Sequence, residues 1–323
     1  MSKKVFLKGT LILACTGLVS RIAGFFYRIF LSHAIGAEGL GLYQLILPLQ
    51  GLMAALSYTG IQSALSRLIA SRLALQEKKE AYFSLVTGIF AAVFFSAVTG
   101  FLLFRHADFF ASTILKAPGT SDLLRLTAAS IPLCAIHSCI DSYYYARKKA
   151  SVPAAVQLSE QAVRIGATYI LYLIFLSEGR PVTAMIAAGG SLAGEAAASL
   201  ISLLMVSFHF GNHPVKEKTS VKIFPLIKDL FTLSFPISLN RILLTLLGSI
   251  EAVLIPQMLI RCGMTSSEAL KIYGIFTGMA LPLLLFPSTL TTSAAVMLMP
   301  SVARMDALGD QKQIRHVTDQ TFF

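Results

Sequence analysis

"SRIAGFFYR" (Ser20–Arg28) lies inside the apolar run "LILACTGLVSRIAGFFYRIFLSHAI" (Leu11–Ile35). The run is long enough to cross a bilayer, because a helix rising ~1.5 Å per residue needs about 20 apolar residues to span ~30 Å of hydrocarbon. Charge inside such a run is costly, about 2.5–3.5 kcal/mol for each group near the centre. Arg21 and Arg28 are seven residues apart, which at ~100° per residue brings them to within about 20° of one helical face. Gly24 lies on that face, one turn from each, and leaves room beside them. A stripe of this kind is expected to face an aqueous cavity inside a bundle. For Arg21 the alternative is a structural pair with a carboxylate; for Arg28, about 10 Å further along the axis, it is snorkelling to the outer surface.

The rest of the sequence agrees with a membrane bundle. Of 323 residues, 55% are hydrophobic and 13% charged, with a mean hydropathy of +0.71, a composition outside the soluble range. Eight mostly apolar stretches read as spans, at roughly 9–31, 41–66, 81–104, 123–145, 154–177, 183–208, 231–258 and 272–300. They are too long and too continuously apolar for the alternating pattern of an outer-membrane barrel. The predicted fold is an all-α, polytopic membrane helix bundle. By loop, 17 Lys and Arg residues fall on one side and six on the other, which predicts an even number of spans with a cytoplasmic N-terminus. The net charge of +11 is thus a topology signal, and no nucleic-acid partner is expected. Tyr143, Tyr144 and Tyr145, just before "ARKK", are expected in an aromatic belt at the inner interface. The basic start "MSKKVFLKGTLILAC" resembles a signal peptide, but its apolar part runs on into a full span, so it reads as a retained first helix.

The polar interval "HFGNHPVKEKTSVKIFPLIKDL" (209–230) divides the spans six to two. The expected organisation is a six-helix lobe (1–212), a cytoplasmic linker (213–230) with "VKIFPLIKDL" as an amphipathic segment, and the first two helices of an incomplete second lobe (231–323). A parallel repeat is suggested by "VSRI" in the first span and "LNRI" in the seventh. Tyr43 and Tyr273 are likewise each followed, twenty residues on, by Ser-Ala.

Eight ionisable residues fall inside spans: Arg21, Arg28, Arg164, Arg241, Asp141, Glu160, Glu195 and Glu251. Glu160 and Arg164, spaced i,i+4, form a structural pair. Asp141 is assigned to the nearby "ARKK" loop. Glu195 follows "GGSLAG", where Gly190 and Gly194 make a small-xxx-small helix contact, so its carboxylate is expected to point into the bundle. Glu195, Glu251 and Glu160 are the candidates for a coupling proton. Arg241 follows Asn240, with Pro236 just before them in "SFPISLNR"; Pro236, Pro48, Pro282 and Pro287 are expected to break helices beside protein or a water-filled cavity. Arginine forks suit phosphate or carboxylate oxygens, so a cavity holding several prefers an anion. Cys134, His137 and Cys139 form a C-x-x-H-x-C string, but Cys139 points roughly 140° from Cys134; packing is expected there and no metal. No cofactor is expected.

"FLKGT" (6–10), "S-R-x-x-G" (20–24), "IGAEGLGLY" (35–43), "FPSTLTTS" (286–293) and "PSVAR" (300–304) resemble the polysaccharide and lipid-linked oligosaccharide exporters of the MOP superfamily. The likeness is strongest to the stage V sporulation protein B family, relatives of the lipid II flippases. It implies a two-lobed bundle working by alternating access, here truncated, and a cargo of undecaprenyl-pyrophosphate-linked saccharide or peptidoglycan precursor, moved from inner to outer leaflet for cell-wall or spore-cortex synthesis. Membrane lipid and cell-wall synthesis proteins are the implied partners. By the "S-R-x-x-G-x-x-x-R" pattern it implies that Arg21 and Arg28, with Gly24 between, hold the pyrophosphate; Arg241 and Asn240 are added as further cavity residues. The flippases' arginines in the second and eighth helices have no counterpart in "YQLILPLQGLM" (43–53) or "YGIFTGMALPL" (273–283). The rival readings are a cation-coupled multidrug exporter of the MATE type, which requires an acidic cavity, and a membrane enzyme. No G-x-S-x-G, H-E-x-x-H or P-loop pattern occurs, so no enzyme is expected.

Overall fold

The Leu11–Ile35 run folds into one helix, α1 (Lys3–Ala34), and stops where Gly36, at φ +72°, turns the chain into the next. Only glycine takes that conformation without steric cost. In the computed structural model, residues 3–212, 223–285, 287–313 and 315 are described, and among them the secondary structure is entirely helical. The succession is α2 (Gly36–Ser57), α3 (Thr59–Ala74), α4 (Lys78–Arg105), α5 (Ser121–Ala146), α6 (Ser151–Ser177), α7 (Met185–Asn212), α8 (Ile223–Arg261), α9 (Ser266–Ile275) and α10 (Ser288–Ala307).

Six described helical segments are long and apolar enough to cross a membrane: Leu11–Ala34, Gly36–Ser57, Lys78–Arg105, Pro118–Ala146, Met185–Asn212 and Ile223–Arg261. Three expected spans differ. That at 154–177 is the 27-residue α6, which is left out because Gln157, Glu160, Gln161 and Arg164 form a polar stripe on it. That at 41–66 is broken at Tyr58 into α2 and α3. That at 272–300 begins as α9, widens into a π-turn at Phe276–Ala280, continues as the single turn Leu281–Leu284 and restarts as α10.

The prolines divide accordingly. Pro48 lies inside α2, and Pro236 and Pro256 lie inside an unbroken α8, so the expected breaks at Pro48 and Pro236 are absent. The one at Pro282–Pro287 is present. Of the expected linker, 213–222 lies outside the described residues, while 223–230 is the start of α8, with Leu226 and Leu230 buried and Asp229 accepting from Arg72 at 2.8 Å.

Two apolar clusters hold the bundle. One joins Leu31, Leu40, Ile46, Leu124 and Ile186 from α1, α2, α5 and α7; the other joins Leu65, Ile69, Leu85, Ile140 and Tyr143 from α3, α4 and α5. Tyr143 and Tyr144 belong to the second cluster, so they turn inward instead of forming a belt. On α4, Phe90, Phe94, Phe101 and Phe104 share one face and are 53–73% exposed. A contiguous apolar surface of that size is stable only against hydrocarbon or another apolar partner.

Candidate functional site: a polar cavity lined by arginines

α1 packs against α6 on one side and α10 on the other, and its Arg21–Gly24–Arg28 stripe faces the space between them. The cavity there measures about 740 Å³. Its walls come from α1, α2, α6, α7, the interrupted segment before α10 and α10 itself, with Tyr145 of α5. On α6, Gln157, Gln161 and Arg164 repeat at i, i+4 and i+7, a single face, and all three line the cavity. The two stripes oppose each other closely: a Cβ on Gly24 would lie 3.8 Å from Gln161 Nε2.

Arg21 donates from Nη1 to the Leu285 carbonyl at 2.5 Å and from Nη2 to Ser288 Oγ at 3.2 Å. Both acceptors sit at the helix interruption, where the Leu285 carbonyl also accepts from the N–H and the hydroxyl of Ser288, at 3.1 and 2.7 Å. The arginine adds a charged donor to the break, and the break holds the arginine at the cavity wall. Arg28 lines the same cavity, half-buried, next to the buried Tyr27, whose hydroxyl lies 3.0 Å from Thr168 Oγ1. Gln44 and Gln50 of α2 add amides to the wall, with Gln50 Nε2 donating to Ser130 Oγ at 3.3 Å.

Behind the wall runs a chain of buried charge. Arg164 pairs with Glu160, as its spacing predicts, and its Nη2 also lies 3.5 Å from Glu195 Oε1. Glu195 Oε2 is 2.9 Å from His137 Nε2, and His137 Nδ1 is 3.8 Å from Asp141 Oδ2. Asp141 therefore turns to His137 and not to the "ARKK" loop. The expected glycine contact makes this possible. A Cβ on Gly194 would meet Glu160 O at 3.0 Å, and one on Gly190 would meet Thr168 Oγ1 at 1.9 Å, so α6 and α7 approach closely enough for Glu195 to reach Arg164. Removing one member would strand an uncompensated buried charge.

The structure brings together Arg21, Gly24, Arg28, Arg164 and Glu195 on one cavity, with Glu160 directly behind. It separates Asn240, Arg241 and Glu251 from them: all three are exposed and outside the cavity lining. The cavity role expected of Arg241 and Asn240 is therefore not seen among the described residues. α8 packs on α2 and α3 through a face that includes Ser238 and Ser249, with Ser249 donating to Pro48 O at 3.0 Å and Gly60 closing on Ser238; Arg241 lies at the edge of that face, and Asn240 and Glu251 are turned away from it. Sequence reasoning missed Gln157 and Gln161, and read His137 as packing within the C-x-x-H-x-C string without its pairing to Glu195. For the glutamines the signal was present, since "QLSEQAVR" (157–164) places both amides on the arginine's face.

The charged side chains lining the cavity among the described residues are Arg21, Arg28, Arg164 and Glu195, three cations against one anion. The chain carrying this cavity is similar to known proteins in both sequence and fold. It is 32% identical over 312 residues to stage V sporulation protein B of Bacillus subtilis (strain 168), covering 94% of this chain and 59% of that protein. It is 22% identical to the lipid II flippase MurJ of the same organism, covering 99% of this chain and 62% of the relative. It therefore spans little more than half the length of these relatives. The fold also matches the MATE multidrug transporter DinF-BH, with a TM-score of 0.74 at 15% identity, covering 100% of this chain and 70% of that one. The model of the family described as polysaccharide biosynthesis protein matches residues 6–306. With nearly its whole length matched, the chain belongs to the polysaccharide biosynthesis protein family.

Proposed function

We propose that this chain is the cavity-forming part of a flippase that moves an undecaprenyl-pyrophosphate-linked saccharide or peptidoglycan precursor from the inner to the outer leaflet by alternating access. The observation that carries this reading is the pair of arginines on one stripe of α1, Arg21 and Arg28, facing a cavity of about 740 Å³. Guanidinium groups offer forked donors to phosphate oxygens, and the surrounding glutamines and tyrosines offer neutral hydrogen bonds without competing charge. The lipid tail stays in hydrocarbon while the head group enters. Glu195, which touches both the cavity and His137, is the group through which a proton would be coupled to the cycle. Moving one charge across 100 mV is worth about 2.3 kcal/mol, enough to bias such a switch. The N-terminus is cytoplasmic in this reading, and the membrane is the bacterial plasma membrane.

A second reading, a cation-coupled multidrug exporter, draws support from the likeness to the MATE multidrug transporter fold and from Glu195. The charge balance of the lining opposes it. The test is transfer of an undecaprenyl-pyrophosphate-linked fluorescent saccharide between leaflets of vesicles holding the intact protein. Loss of a charge-assisted contact is worth about 1.5–3 kcal/mol, so Arg21→Ala and Arg28→Ala should each lower head-group affinity roughly 10- to 150-fold. Unchanged transfer in both variants overturns the flippase reading; transport of a rhodamine-type cation by the parent protein would favour the exporter.

A further inference from the structure

The geometry points to a transition-metal site in the wall of the cavity, made by Cys134 and His137 of α5 with Glu195 of α7, for a divalent ion of the zinc class. One donor atom from each of the three lies within 4.8 Å of the others. Donors sharing one tetrahedral ion at about 2.0–2.3 Å stand roughly 3.3–3.8 Å apart, so small rotamer adjustments bring them into place. Cys134 and His137 are one helical turn apart and face the same way. The C-x-x-H-x-C string fails as a site because Cys139 turns elsewhere, its sulfur 3.9 Å from Gly88 O. The third ligand is supplied across the α5–α7 contact.

A metal-bound imidazole is ordinarily oriented by a carboxylate on its other nitrogen. Here His137 offers Nε2 to the site and directs Nδ1 towards Asp141, 3.8 Å away. His137 Nδ1 and Asp141 Oδ1 are both buried without a hydrogen-bond partner, which marks a polar arrangement left incomplete among protein groups alone. Arg164, 3.5 Å from the other oxygen of Glu195, supplies the corresponding brace on the carboxylate. Entry is through the cavity, since Glu195 lines it, and a water from the cavity fills the fourth position. The exchange is balanced. The ion displaces the thiol proton of Cys134 and the proton held between His137 Nε2 and Glu195, while the Nδ1 proton stays towards Asp141, so two protons leave for each divalent ion. Metal and coupling proton thus compete for the same lone pairs, which makes the site a brake on the cycle; its existence does not depend on the identity of the cargo.

The test is Co²⁺ titration of the purified 323-residue chain in detergent, with the exposed Cys15 and Cys262 replaced by serine. A near-ultraviolet sulfur-to-cobalt charge-transfer band should saturate at one equivalent and bleach on adding Zn²⁺. Cys134→Ser should abolish the band, Cys139→Ser should leave it, and Asp141→Asn should weaken binding about 10- to 100-fold. Glu195→Gln, which keeps the sulfur, should weaken binding at least tenfold and serves where Cys134→Ser does not fold. Absence of the band in the parent chain, a band that survives Cys134→Ser, or affinity untouched by Glu195→Gln overturns the proposal.

Discussion

Helices α1 and α8 each carry an arginine at mid-length behind a polar residue, Ser20-Arg21 and Asn240-Arg241, and the bundle treats the two oppositely. Arg21 is walled in: α6 and α10 flank its helix, and a broken segment offers it a carbonyl and a hydroxyl. Arg241 is exposed, at the edge of the α8 face that packs on α2 and α3. The same side chain therefore becomes a cavity lining in one place and an outward group in the other. What decides is the opposing wall: α6 brings Gln157, Gln161 and Arg164 to meet α1, and no such stripe meets Arg241 among the described residues.

If enclosure is the difference, removing an enclosed arginine should cost more than removing an exposed one. Arg164 has 23% of its side chain exposed and braces two carboxylates that are 16% and 11% exposed. Arg164→Ala should destabilise the chain by about 3–5 kcal/mol, the scale for breaking a buried pair from one side, read as a fall in the thermal unfolding midpoint in detergent. Arg241→Ala should shift it by no more than about 0.5 kcal/mol. Equal effects would break the comparison.

Glycines sharpen it at a smaller scale. A Cβ on Gly41 of α2 would lie 2.1 Å from the Leu270 carbonyl of α9, whereas one on Gly248 of α8 would meet nothing within 4 Å. Gly41→Val should cost about 1–3 kcal/mol or more through overpacking, whereas Gly248→Val should cost nothing and gain a few tenths of a kcal/mol, about the scale by which valine exceeds glycine in helix propensity. The smallest effect lies between α8 and α9, where Thr265 caps α9 and its N–H and hydroxyl both donate to Glu268. Those bonds hold the Glu268 carboxyl below the ordinary glutamate range. A depressed carboxyl contributes stability above its unfolded value and loses it as pH falls through the folded one. Its titration midpoint, read by NMR, should move back towards the ordinary value in Thr265→Ala.

The part of this arrangement legible from sequence is the part set by spacing within one helix. Seven residues from Arg21 to Arg28, four from Glu160 to Arg164 and four from Gly190 to Gly194 fix faces before any partner is known. What was not legible depends on which helix comes opposite. Glu195 and His137 are 58 residues apart, and nothing local distinguishes that pairing from one between Asp141 and the basic loop. The prolines teach the same point. Pro236 and Pro48 stay within regular helices, where packing on neighbouring helices holds the geometry, while the segment around Pro282 is interrupted, its Leu285 carbonyl taking donors from Ser288 and Arg21. Arg241 copies the motif of Arg21 without its enclosure, because no stripe like that of α6 lies opposite it among the described residues.

The most direct test is the chemical reactivity of position 24. Gly24→Cys sets a thiol between Arg21 and Arg28 with space around it, in a background where Cys15 and Cys262 are serine. An anionic methanethiosulfonate should modify it faster than a cationic one of equal size, and inorganic pyrophosphate should slow the reaction, whereas Arg241→Cys should show neither preference nor protection. A thiol at position 24 that is inert in the folded chain, or that reacts faster with the cation, would contradict a wet, anion-attracting cavity.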